Sequence, residues 1–358
     1  MSANPLLGVF LCWLGGLASA SFYVPFRKVR GWSWETYWLT YGVMSWIVAP
    51  WLLAALLIPH LLTILQAAPA PALIWTYCFG VLWGIGGLTF GLALRYLGVS
   101  LGVAVGLGNC AVFGTLVPPV FHRQIGQMLS QRSGIVTLAG VVVCALGIVL
   151  AGAAGVSKEK ELTSDVKKAG VSEFNLRLGL SVGVFAGVMS ACFAFGLDAA
   201  TPIESTAVTL GTHVLWQGLP ALVVILAGGF TTNLVWCLIL NYRNRSFAEY
   251  LAPVGGASAA AAAKRPSLGA NYFFSCLAGS IWYMQFFFYT MGASQMGRYK
   301  FSSWTLLMST TIIFSTLWGI ALKEWRGTSL RTRILVLLTL LTLVGATVIV
   351  GYGNLLAS

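Results

Sequence analysis

Apolar residues run along this chain in long, nearly uncharged stretches, separated by short basic or Pro-containing breaks. Splitting at those breaks gives stretches near residues 5–26, 34–58, 72–94, 98–121, 134–154, 178–198, 208–240, 269–291, 299–321 and 333–353. A helix needs about 20 apolar residues to cross a bilayer, so the pattern predicts ten membrane-spanning helices and an all-α integral membrane protein. The seventh stretch is longer than one crossing requires, and Pro220 followed by Gly228-Gly229 marks where it could break. Ala18-Ser19-Ala20 resembles a signal-peptidase site, yet no basic segment precedes it and Arg27, Lys28 and Arg30 follow the first stretch. That order predicts a retained first span.

The longest polar stretch, about residues 155 to 177, divides the predicted spans into two sets of five. Leu7-Gly8, Gly16, Ser19-Ala20 and Phe22 recur 171 residues later as Leu178-Gly179, Gly187, Ser190-Ala191 and Phe193. An odd number of spans per repeat makes the second copy enter from the opposite face, so the pattern predicts two inverted five-helix repeats, residues 1–156 and 178–358, joined by a cytoplasmic polar linker at 157–177. Inverted repeats are the construction of alternating-access transporters. Small residues at this spacing also serve plain helix packing in any membrane bundle.

Composition agrees with a lipid solvent. The 358 residues are 58% hydrophobic and 8% charged, with a mean hydropathy of +0.84, whereas soluble domains carry roughly 25% charged residues. A formal charge of +12 would point to nucleic acid in a soluble protein. Here seventeen of the Lys and Arg residues fall in alternate loops beginning with the first, and only Arg123, Arg132, Arg298 and Lys300 fall in the others. Basic loops stay in the cytoplasm, so this bias predicts both termini outside and no nucleic-acid partner.

No catalytic signature is present: there is no phosphate-binding Gly loop, no His-Glu-x-x-His and no Gly-x-Ser-x-Gly. The seven cysteines lack paired spacing, and His60, His122 and His213 are scattered. An enzyme, a bound cofactor and a metal site are therefore not expected. Any pumping must draw on an ion gradient or on the substrate's own.

A small neutral polar substrate needs hydrogen-bonding groups at depth and aromatic faces against its apolar edges. In the eighth span, helical spacing puts Trp282, Gln285 and Tyr289 on one face, continuing Ser275, Ala278 and Gly279; the alternative is a packing face. Asn109 near the centre of the fourth span must also find partners, either a substrate hydroxyl or a helix backbone. Trp83 shares Gly-x-x-Trp with Trp282 (Gly80 to Trp83, Gly279 to Trp282), which places two Trp residues symmetrically about the repeat axis. Gln217, before Pro220, is a further substrate-binding candidate. None of the nine acidic residues falls at a span centre. For proton coupling the candidates are Asp198, expected inside the outer half of a span, and then Glu35; a carboxylate in a span is a functional hypothesis by default.

Several blocks, in order along the chain, resemble the L-rhamnose/proton symporter family of the drug/metabolite transporter superfamily. They are Phe-Tyr-Val-Pro-Phe-Arg-Lys-Val-Arg-Gly-Trp-Ser-Trp-Glu-Thr (22–36), Trp-Gly-Ile-Gly (83–86), Leu-Arg-Tyr-Leu-Gly (94–98), Glu-Phe-Asn-Leu (173–176), Trp-Tyr-Met-Gln-Phe-Phe-Phe-Tyr (282–289) and Leu-Lys-Glu-Trp (322–325). The chain departs from the family pattern at Gly87-Leu88-Thr89 and at Asp198, where Asn residues are usual. The resemblance implies a ten-helix protein of two inverted repeats in the bacterial inner membrane, importing L-rhamnose or a similar deoxysugar with a proton. An exporter of another small metabolite on the same fold is the alternative, since fold does not settle substrate.

Overall fold

A computed structural model describes residues 4–97, 99–161, 175–251 and 267–357. Most of the predicted linker at 157–177 lies outside the described residues. The long helices are α1 (Pro5–Ser21), α2 (Trp34–Leu57), α3 (Ala70–Leu97), α4 (Val99–Phe121), α5 (Arg132–Glu161), α6 (Leu176–Ala199), α7 (Leu219–Asn244), α8 (Leu268–Ser294), α9 (Ser302–Ala321) and α10 (Leu330–Leu355). No strand occurs among the described residues.

Eight helical segments among the described residues are long and apolar enough to cross a membrane, and α4 carries a shorter apolar helix, Val105–Phe121. Helix α8 has 27 residues, about 40 Å at 1.5 Å per residue, but its Asn, Ser, Trp, Tyr and Gln side chains keep it out of the eight. The stretch predicted at 208–240 is not one helix. Helix Thr201–Thr209 and a 3-10 turn at Val214–Trp216 come first, and α7 begins at Leu219 with Pro220 in its first turn, where the missing N–H has no intrahelical partner to lose.

Asn4 and Asn175 are the N-caps of α1 and α6, their side chains accepting from the Leu7 and Leu178 amides at 3.1 Å each. The two caps stand 171 residues apart, the spacing of the recurrent residues in these helices. The helix contacts pair off in a matching way. Helix α1 lies on α8 and α9 as α6 lies on α3 and α4; α2 lies on α8 as α7 lies on α3; α4 meets α5 as α9 meets α10; and α5 packs on α10. Glycine sets the close approaches, because a Cβ at Gly80 would lie 2.1 Å from the Ile225 carbonyl oxygen and one at Gly279 2.6 Å from that of Tyr41.

Helix α2 widens to a π-helix over Val43–Val48, where the Ala49 amide reaches back to the Met44 carbonyl just before Pro50. Proline disturbs the turn ahead of it by removing a donor and crowding the i−4 carbonyl. Single π turns of this kind concentrate at functional sites.

Candidate functional site

The rings of Trp83 on α3 and Trp282 on α8 stack at 5.7 Å with 26° between their planes. They are the two residues of the shared Gly-x-x-Trp. Trp46, from the π segment, stands edge-on to both at 6.2 and 5.7 Å. Phe193 on α6 lies 5.1 Å from Trp83 and stacks on Phe286 at 4.0 Å, and Trp304 on α9 links Phe193 to Tyr289 at 5.8 and 5.6 Å. Sequence reasoning named Trp83, Trp282 and Tyr289 and missed Trp46, Phe193 and Trp304. Only Phe193 left a signal, as the repeat partner of Phe22.

Gln285 sits between Trp282 and Tyr289 on the same face of α8 and is only 5% exposed. Its side-chain amide makes no hydrogen bond to protein among the described residues. Its polar atoms are not among those shut off from solvent, so the amide is open to a ligand hydroxyl.

The other candidates stand elsewhere. Asn109 donates to the Val105 carbonyl of its own helix at 2.8 Å, backs onto Gly187 of α6, and lines a cavity of about 560 Å³ between α4 and α5. Gln217 is half-buried in the turn before α7; its neighbour Trp216 stacks on Phe287 at 5.7 Å, on a different face of α8 from Gln285. Asp198, expected in the outer half of a span, lies in the last turn of α6, its side chain 36% exposed and its carboxylate 2.8 Å from the His122 Nε2 just past the end of α4. The chain turns there because α6 stops at Ala199 and Thr201-Pro202 starts the next helix. Asp198 also lines a cavity of about 70 Å³ whose walls include Tyr289, Lys300 and Trp304, and Lys300 pairs with Glu204.

Glu35 is 3% exposed in the first turn of α2 and accepts from the Asn244 amide at 3.0 Å and the Ser246 hydroxyl at 2.7 Å. Glu249, 8% exposed, accepts from the Ser33 amide and hydroxyl at 2.6 Å each and from the Thr36 hydroxyl at 2.7 Å. Carboxylates at a helix N-terminus are favoured by its unpaired amides. Together these two tie the start of α2 to the end of α7 and the 3-10 turn at Ser246–Tyr250. Glu249→Ala strips one buried and two part-buried donors of their acceptor, so it is expected to lower stability by about 1–3 kcal/mol; thermal unfolding in detergent checks this, and an unchanged midpoint would show that water replaces the carboxylate. No group of three metal-ligating side chains occurs among the described residues.

Apolar helices of membrane-crossing length, packed around an uncharged centre of aromatic rings and one amide, define a multi-pass membrane protein. Over residues 1–356 the chain matches the L-rhamnose-proton symport protein family, and it belongs to that family. It is 36% identical over 357 residues to the L-rhamnose-proton symporter of Mannheimia succiniciproducens, 36% over 356 residues to that of Cronobacter sakazakii and 35% over 356 residues to that of Escherichia coli. Each match covers 99% of both chains.

Proposed function

We propose that this protein is a secondary active transporter that imports L-rhamnose, or a similar deoxysugar, together with a proton across the bacterial plasma membrane. It is a transporter rather than an enzyme, and its partners are the sugar, the proton and the bilayer. The observation that carries this reading is membership of the symport family along essentially the whole chain. The site agrees chemically, since stacked indoles and an unpaired amide suit a neutral sugar with C–H faces and hydroxyl edges. An exporter on the same fold is not favoured by these relatives.

In this reading α1–α5 and α6–α10 are ten transmembrane helices in two inverted repeats, with both termini outside. The 171-residue recurrence, its matched caps and the exchange symmetry of the helix packing support it. Sugar binds at the repeat interface near mid-membrane, against Trp83, Trp282, Gln285 and Tyr289, with Asn109 and Gln217 further out. Asp198 is the first candidate for carrying the proton and Glu35 the second. Reporter cysteines at Lys158 are expected to label only from the cytoplasm and those at Ala67 and Thr201 only from outside; labelling of position 158 from outside would overturn the orientation. The symport reading itself is checked in de-energised, lightly buffered cells. Added L-rhamnose should make the medium alkaline as protons enter with it, and labelled sugar entering without any pH change would sink proton coupling.

A further inference from the structure

Four buried polar groups near the stacked indoles lack a hydrogen bond of ordinary geometry. The hydroxyls of Tyr41, Ser45 and Ser275 and the indole N–H of Trp46 are shut off from solvent, and each residue is more than nine-tenths buried; the Tyr41 and Ser45 hydroxyls lie close enough to interact with each other, and nothing pairs with Ser275 or with the Trp46 indole. The buried Tyr283 hydroxyl of α8 is likewise without a partner, whereas Thr290, Ser309 and Thr310, also buried, each donate to a carbonyl four residues back. Ser45 does not, and it lies in the π segment of α2, where the regular i−4 geometry is lost.

The four groups share one seam. Gly279 of α8 sits against the Tyr41 carbonyl and the Ser45 amide; Ser275 is one turn before Gly279 on the same face, and Trp282 is three residues after it. The Tyr41 and Trp46 rings lie 5.9 and 5.7 Å from Trp282. The seam therefore runs from buried hydroxyls to stacked indole faces without a charged side chain among its members. Native proteins rarely leave several buried donors poorly paired in one place unless something else occupies them. A neutral pyranose matches the arrangement: its hydroxyl edge supplies partners to the seam, and its C–H face meets the indoles.

We propose that Tyr41, Ser45, Trp46 and Ser275 hold the ring hydroxyls of the transported sugar, and that α2 and α8 part along this seam to admit it. The proposal rests on the symport reading and assigns which side chains discriminate among sugars. Tyr41→Phe, Ser45→Ala and Ser275→Ala each delete one polar atom and keep an apolar side chain. If these atoms only packed, removing a poorly paired buried hydroxyl would leave stability equal or higher and binding untouched.

The test is titration of purified wild type and the three variants with L-rhamnose and with derivatives of it that each lack one ring hydroxyl, followed by tryptophan fluorescence, beside a thermal melt of each protein. At least one variant is expected to bind L-rhamnose tenfold or more weakly while melting no lower than wild type, and to lose the wild-type preference for L-rhamnose over one derivative. All three variants binding within threefold of wild type, with the same ranking of derivatives, would overturn the proposal. A wild-type protein that binds no L-rhamnose overturns the symport reading, and this proposal with it.

Discussion

Asp198→Asn is expected to abolish the concentration of L-rhamnose driven by a pH gradient while leaving exchange of labelled for unlabelled sugar intact. Asp198 faces the cavity that reaches Tyr289 and Trp304, and its carboxylate meets the His122 ring at 2.8 Å. In the proposed orientation, a proton arriving from outside meets a carboxylate and an imidazole side by side. The Asn side chain keeps a hydrogen bond to His122 but cannot take the charge. Exchange needs binding and reorientation without net proton release, so it survives. The check is accumulation under an imposed pH gradient beside exchange at equal pH; an Asn variant that still concentrates the sugar moves the coupling role to Glu35.

The second large effect is expected at Trp282. This ring stacks on Trp83 and meets Tyr41, Trp46 and Phe286, so Trp282→Ala removes the centre of the ring cluster and should abolish uptake. Truncating a buried Trp also destabilises by about 3–5 kcal/mol, and Trp282→Phe, which keeps a ring face, separates the two causes by retaining abundance and part of the transport. Gln285→Ala disturbs packing less. Loss of one good hydrogen bond, about 1–2 kcal/mol, should raise the half-saturating sugar concentration about tenfold with protein abundance unchanged. Wild-type uptake kinetics in both Trp282→Phe and Gln285→Ala would assign this face of α8 to packing.

What sequence made legible and what it did not divide along physical lines. Helix positions came from apolar length, and the Trp83–Trp282 pair came from a motif short enough to see by eye. The break before α7 was signalled by Pro220 but not its place, because a buried apolar run reads alike whether it spans or turns. The role of Glu249 left no signal, since its partners Ser33 and Thr36 lie 216 and 213 residues away and no local pattern joins them. Asn109 shows the same limit from another side. Depth along a helix does not tell which way the helix faces, and its amide turns to the Val105 carbonyl. The π segment of α2 was invisible because its cause, Pro50, follows in an otherwise ordinary apolar helix.

The central claim, sugar import coupled to a proton, is tested most directly by reconstituting the protein into vesicles with labelled L-rhamnose and imposing an acid-outside pH gradient or an inside-negative potential, each alone. One proton carried with a neutral sugar moves one charge, and a potential of about 100 mV then supplies about 2.3 kcal/mol, nearly fifty-fold accumulation at the limit. Either force alone is expected to concentrate the sugar inside, and a protonophore to release it to equality. Sugar that only equilibrates under both forces, or that is driven outward by them, would contradict proton-coupled import.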